Sequence, residues 1–219
     1  MSDSTPTRRP FHGSCHCGSV KYIVFLTLPH KPPSNANDDR MTPAADSSRS
    51  EQEFYRCNCT ACHKAGHFHM RTNWAPEDFL LLSPLDPLAE LGDYTCYSGT
   101  IHWLFCKRCG GRCFLFAGKG ETAEVDLDEM GIRDGDGGKM GKRTVWRPKA
   151  EGWSEDSGSE DGESRCYLSV NGYTVDAAQE GFELGEFTAN KWVAYVDCLE
   201  LHGPEQEPRY DKPFEGGAF

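Results

Sequence analysis

Seven cysteines in three short clusters are the residues of this chain best equipped to do chemistry. They are Cys15 and Cys17 in the run GSCHCG, Cys57, Cys59 and Cys62 in CNCTAC, and Cys106 and Cys109 in CKRCG. Two cysteines at i and i+2 on a strand point to one face, so Cys15 and Cys17 can grip one ion. Cys106 and Cys109 have the spacing of a knuckle, a tight turn that aims both sulfurs inward. Gly110 follows, where a positive φ is often needed. The two pairs make four thiolates, the tetrahedral complement of a closed structural zinc. They lie about 90 residues apart, so this zinc would tie the start of the domain to its middle and add to folding free energy.

The middle cluster differs in kind. Cys57, Cys59 and Cys62 supply three ligands and leave a fourth position for water or substrate, as open zinc sites do. Zinc with three thiolates carries a formal negative charge and is a weak Lewis acid towards water. It is better suited to holding and exchanging another sulfur. A thiol arriving there would lose its proton and be held as thiolate. The expectation is a thiol-handling site rather than a hydrolytic one.

Other readings of the same residues stay open. All seven thiols could serve one zinc with spares, or a single two-metal cluster. A redox pair at Cys106 and Cys109 is a further alternative, although the βαβ context of such motifs is missing. Cys96, Cys113, Cys166 and Cys198 lie in strand-like runs and read as small buried hydrophobes; Cys113 sits four residues past Cys109. His16 lies between two ligands and faces away from them. His63, His67 and His69 follow the three-cysteine run, and one of them could complete a zinc or donate a proton. Lys64 and Arg71 could attract an acidic substrate or simply be solvated. No proton-transfer residue is identified beyond the ligands.

The elements that must position these residues read as short strands. Ser19–Leu26, Phe68–Trp74, Phe79–Leu82, Cys113–Ala117, Cys166–Val170 and Trp192–Leu199 have strand composition. Tyr94–Tyr97 and Ile101–Phe105 read as a hairpin around Ser98-Gly99, and Asp86–Leu91 as one helical turn. Residues 1–10 read as disordered. A Pro-, Asn-, Asp- and Ser-rich excursion occupies about 29–52, and a Gly-rich, charged insertion about 118–165. The insertion reads as a disordered surface loop that Trp146 and Trp153 could dock locally. The chain is therefore expected to be one zinc-binding domain over 11–202 with these two insertions, and a loose tail over 203–219.

The bulk composition excludes several classes. Hydrophobic residues make up 37% of the 219 and charged ones 26%, with a net charge of −11. That balance argues against nucleic acid and acidic membranes as partners, since both attract basic patches. No apolar run approaches the ~20 residues that span a bilayer. MSDSTPTRRPF has no apolar core of a secretory signal, so a reducing, cytoplasmic setting is expected. Stable disulfides are disfavoured there, and eleven cysteines could not all pair.

Taken together, GSCHCGSVKY, CNCTACHKAG and FCKRCGGRCFLF resemble the glutathione-dependent formaldehyde-activating enzyme family, which also includes centromere protein V. YLSVN and KWVAYVDCLE resemble the closing part of the domain in eukaryotic members. The resemblance covers about 11–28, 54–117 and 166–200. It implies a mainly β, Mss4-like fold of short antiparallel sheets around a structural zinc, with long irregular insertions. It also implies two zinc ions, a structural one on Cys15, Cys17, Cys106 and Cys109 and a catalytic one on Cys57, Cys59 and Cys62. The implied activity is carbon–sulfur bond formation between glutathione and formaldehyde, or the reverse lyase reaction, with a small-molecule thiol as partner. The chain departs from the pattern in its two insertions and in His63-Lys64-Ala65-Gly66, which replaces a more usual Arg-Lys-Ala-Ser-Gly-type run. Two other expectations stand beside this one: a non-catalytic zinc-stabilised protein-binding module, and a zinc enzyme acting on another electrophile in a biosynthetic pathway.

Overall fold

Strict alternation along short strands decides which residues form the core and which face away from it. In the computed structural model, which describes residues 5–30, 52–154, 166–199 and 208–218, two sheets carry the chain. The first is built from β1 (Thr7–Ser14), β2 (Lys21–Leu28), β5 (Phe79–Ser83), β9 (Gly120–Asp126) and β10 (Lys142–Pro148). Their order across the sheet is β1-β2-β5-β10-β9. The second contains β3 (Glu53–Cys57), β4 (His69–Arg71), β6 (Gly92–Thr95), β7 (His102–Phe105), β8 (Phe114–Ala117), β11 (Tyr167–Asn171) and β12 (Ala194–Val196). Its order is β12-β3-β4-β11-β8-β7-β6. β12 joins β3 in parallel, while β3–β4, β4–β11, β11–β8, β8–β7 and β7–β6 are antiparallel. Four short helices punctuate the strands: α1 (Thr60–Ala65), α2 (Ala75–Asp78), α3 (Pro87–Glu90) and α4 (Leu184–Ala189). The fold is mainly β, as expected. Among the described residues, no helix is long and apolar enough to cross a membrane.

The main core lies between facing sides of the two sheets. Tyr22, Val24 and Leu26 of β2 meet Phe54, Met70, Phe114, Phe116, Leu168 and Val170 there. Side chains alternate with period two, so the neighbours of these residues point away from this core. On the second sheet those neighbours are Tyr55, Cys57, His69, Arg71, Leu115, Ala117, Tyr167 and Ser169. The three-cysteine cluster packs on that opposite face, with Cys62, Trp103, Leu115, Ala117 and Tyr167 forming an apolar patch of their own.

Four features differ from the sequence expectations. Residues 118–154 are largely folded rather than a disordered loop: β9 and β10 pair over seven residues. Their turn sends Leu127 and Ile132, both 0% exposed, against Ile23, Phe25, Leu80 and Val145 on the outer face of the first sheet. Burying such side chains contributes roughly 1.5–3 kcal/mol each, enough to order a segment whose average composition is polar. Trp146 and Trp153 enter the main core. The N-terminal segment is not disordered throughout, because β1 begins at Thr7 and pairs with β2 through Thr7↔Leu28. The C-terminal tail is not loose over 208–218: Arg209 exchanges backbone hydrogen bonds with Tyr195 at 2.7 and 3.0 Å, and Phe214 packs against the core. Finally, Cys15 and Cys17 stand in the turn after β1 rather than on a strand. Gly18 N–H donates to Cys15 O at 2.8 Å and Gly18 takes φ +72°, so a turn rather than a pleat brings the sulfurs together. The excursion over 31–51, the acidic stretch 155–165 and residues 203–207 of the tail fall outside the described residues.

Candidate metal centres

The sulfurs of Cys15, Cys17, Cys106 and Cys109 all lie within 4.8 Å of one another. Cys15–Cys17 and Cys17–Cys106 are 3.6 Å apart. A tetrahedron with zinc–sulfur bonds of about 2.3 Å has edges of ~3.8 Å, so these spacings fit such an ion. The second pair forms the knuckle that its spacing predicts. Gly110 N–H donates to Cys106 O at 2.8 Å and Cys106 N–H to Gly111 O at 2.9 Å, and Gly110 takes φ +73°. Gly111 is packed as well, because a Cβ there would stand 3.0 Å from Cys15 Cβ.

Hydrogen bonds prepare these sulfurs for a cation. Val20 N–H donates to Cys15 Sγ at 3.3 Å, and the Ser19 hydroxyl lies 3.2 Å from Cys17 Sγ. The Ser19 contacts pull the Cys17 thiol down to about 6. Burial pushes Cys15 up to about 11, and a buried thiol of that kind ionises only when a cation takes the proton's place. Cys113 stays outside the cluster. It is buried in the adjoining core, and burial pushes it up to about 12. The two pairs come from opposite sheets, one after β1 and one after β7, so a bound ion would join the sheets at one edge of the core.

Cys57, Cys59 and Cys62 form a second, separate cluster with sulfurs within 4.8 Å of one another. It is built at one junction. Cys57 ends β3, Cys59 is the N-cap of α1, and Cys62 lies in the first turn of that helix. Cys59 N–H donates to Cys57 Sγ at 3.3 Å, and Cys62 N–H to Cys59 Sγ at 3.4 Å. A thiolate at Cys59 therefore does the work of an Asp or Ser cap. Gly66 closes α1 in the left-handed conformation. Hydrogen bonds from Cys57 and Cys62 hold the Cys59 thiol far below its ordinary range. Cys57 is pushed up instead, first by its hydrogen bond to Cys198 and then by that to Cys59.

Behind the cluster runs a buried polar relay that the alternation of β3, β4 and β11 puts on one face. His69 Nε2 is 3.1 Å from Cys62 Sγ. Its Nδ1 faces the Ser169 hydroxyl at 3.0 Å and the Tyr167 hydroxyl at 3.2 Å, and Tyr167 meets the Tyr55 hydroxyl at 2.5 Å. Burial pushes the His69 imidazole down to about 3, so the ring is neutral. A neutral ring donates from one nitrogen and accepts at the other, so His69 links the Cys62 sulfur to the two hydroxyls in either tautomer. This is the outer support that metal-ligating groups require. The histidine nearest in sequence, His63, is exposed. His67 is buried beside His69 and Trp103, and among the described residues neither of its ring nitrogens has a hydrogen-bond partner. Arg71 is buried and paired with Glu53 at 2.9 Å, away from any role as a surface lure; Lys64 is exposed.

Two side chains at this cluster carry no signal in their local sequence. Tyr97 is 73% exposed and holds φ +54°, an unusual conformation for a bulky residue. Contact with Cys59 raises its phenol above the ordinary range. Cys198 is half-buried beside Cys57 rather than sequestered in the core. The pairing of β12 with β3, distant in sequence, and the Asn58 amide bring it there.

No protein-family model matches the chain, and no curated protein matches its sequence. Among solved structures, a Rhodobacter sphaeroides protein is similar at a TM-score of 0.34 and 14% identity, over 77% of this chain and 91% of that one. At that level of similarity neither fold nor activity transfers. The chain's own geometry offers two cysteine-rich groups that could each hold a metal ion.

Proposed function

We propose that this chain is a two-zinc carbon–sulfur lyase of the glutathione-dependent formaldehyde-activating type, with an Mss4-like fold. The reading is supported chiefly by Cys57, Cys59 and Cys62, which cluster apart from the complete four-cysteine set. The order and spacing of all seven cysteines support it as well. The donor chemistry suits zinc, since soft thiolates in four- and three-ligand groups are its usual closed and open sites. Zinc at the second group would supply a soft, exchangeable position that takes a substrate thiol as its thiolate.

The chain's own residues would do the rest. The three sulfurs lie at one strand–helix junction and share one face of the sheet. With its proton on Nε2, 3.1 Å from Cys62 Sγ, His69 would draw charge from that sulfur and favour a further anionic ligand. Tyr97 stands on the solvent side of Cys59, where a thiol and an aldehyde would arrive. In the synthetic direction the substrate sulfur bonds to the aldehyde carbon, the carbonyl π pair moves to oxygen, and the proton lost by the thiol ends on that oxygen. The lyase direction reverses each change.

Metal analysis and adduct exchange test the reading. Purified protein is expected to hold two zinc ions per chain and to speed equilibration of formaldehyde with S-(hydroxymethyl)glutathione, followed by exchange NMR. One zinc per chain would remove the two-site reading. Two zinc ions with no acceleration for glutathione or other small thiols would remove the lyase.

A further inference from the structure

Cys198 is held beside the three-cysteine cluster by contacts that leave little freedom. β12 pairs with β3 so that Val196 stands opposite Cys57. Asn58, between two of the clustered cysteines, is only 4% exposed and uses its amide to grip the following residues. Its Oδ1 accepts from Cys198 N–H at 2.6 Å, and its Nδ2 donates to Asp197 Oδ1 at 2.8 Å and to Glu215 O at 3.1 Å. Asn58 N–H adds a bond to Val196 O at 3.3 Å. The outcome is a fourth thiol placed next to Cys57 by the strand pairing and the Asn58 amide.

The chemistry of the cluster gives that thiol a use. Three thiolates leave one position of a tetrahedron to fill. A fourth thiolate from the chain is of the same class as the thiol substrate and competes with it on equal terms. The Cys198 sulfur is not within the mutual 4.8 Å set of the other three, so it stands near the cluster without being locked into it, as a displaceable ligand must.

We infer that Cys198 is a fourth, displaceable thiolate ligand of the Cys57–Cys59–Cys62 centre, which binds the metal until a substrate thiol replaces it. The inference rests on the zinc reading of that centre. It makes substrate entry a sulfur-for-sulfur exchange, in which one metal–sulfur bond breaks, another forms, and the proton of the incoming thiol passes to Cys198.

The test uses the full chain with zinc in the four-cysteine site and Co²⁺ in the second, comparing wild type with Cys198→Ser. The sulfur-to-cobalt charge-transfer band of the variant is expected to fall by about a quarter, the share of one thiolate in four, and to recover on titration with glutathione. The wild-type band should keep its intensity under the same titration. Equal bands in the two proteins overturn the inference. If glutathione still perturbs both spectra, the open, thiol-binding reading survives that failure; if it perturbs neither, that reading falls too. Alkylation of wild-type protein provides a measurement that does not depend on the variant folding. Cys198 should be protected by metal and exposed by saturating glutathione, as read by peptide mass spectrometry. Equal labelling with and without metal overturns the inference.

Discussion

Cys15, Cys17, Cys106 and Cys109 sit between two sheets, whereas Cys57, Cys59 and Cys62 sit at one strand–helix junction on the outer face of a single sheet. The ligand atom is the same in both clusters. In the first, the sulfurs reach one another only if the β1–β2 turn and the β7–β8 turn are already side by side, so a metal bound there would be coupled to folding. In the second, three sulfurs lie within six residues, and the local backbone alone brings them close. The fourth sulfur is present in the first group, whereas Cys198, two residues past β12, stands beside the second but outside its mutual set. Sequence separation of the cysteines, more than their number, divides a cluster that needs the whole fold from one that a single junction builds.

Substitution at one cysteine of each cluster should break this comparison most sharply. Cys106→Ser is expected to abolish cooperative thermal unfolding and to cost both metals, because the loop it closes spans about 90 residues and the metal's binding energy is folding energy. Cys59→Ser should lose one metal and the thiol chemistry while keeping a sharp unfolding transition. Calorimetry with metal analysis reads both, and equal destabilisation would erase the distinction. His69→Phe should sharpen it further. The second metal is expected to bind about 10–100-fold more weakly, while the four-cysteine metal keeps its affinity under chelator competition.

Acid should act on the second region through its histidines. Burial holds His67 and His69 below their ordinary value of 6.5, His69 at about 3. Below pH 6.5 the unfolded chain therefore binds protons that the folded chain refuses, so stability is fully present above that value and falls as pH drops towards 3. Replacing the buried His67 by Leu is expected to flatten the loss by up to about 1.4 kcal/mol per pH unit. Denaturant unfolding of variant and wild type between pH 4 and 7, at matched metal load, measures the difference. The smallest effect is expected at Tyr97. Tyr97→Phe should slow adduct exchange several-fold without changing metal content, and an unchanged rate would make the hydroxyl a bystander.

Much of the second sheet and both clusters could be read from residue order. β7, β8 and β11 fall close to their expected runs, and the knuckle at Cys106–Gly110 follows its spacing. The insertion over 118–154 could not be read in that way. Glycine and charge dominate its average, while a handful of apolar residues order it by packing on the back of β2 and β5. β2 itself carries the clue, since Tyr22 to Leu26 is an unbroken apolar run and a strand buried on both faces needs a partner on each. The turn at Cys15–Gly18 was also hidden, because a two-residue sulfur spacing suits a strand and a tight turn alike.

Residue order alone specifies the local sets: the spacing within Cys15–Cys17, within Cys57–Cys62 and within Cys106–Cys109 survives any arrangement of the rest. Packing between distant segments joins the two outer pairs into one group, selects the sheet face of the three-cysteine cluster, and stands His69, Tyr97 and Cys198 around it. Those placements depend on strand register and on pairings between distant segments, β3 with β12 above all. A one-residue slip in either would turn the same side chains to the other face, and nothing in the local order of residues records which register the packed sheets select.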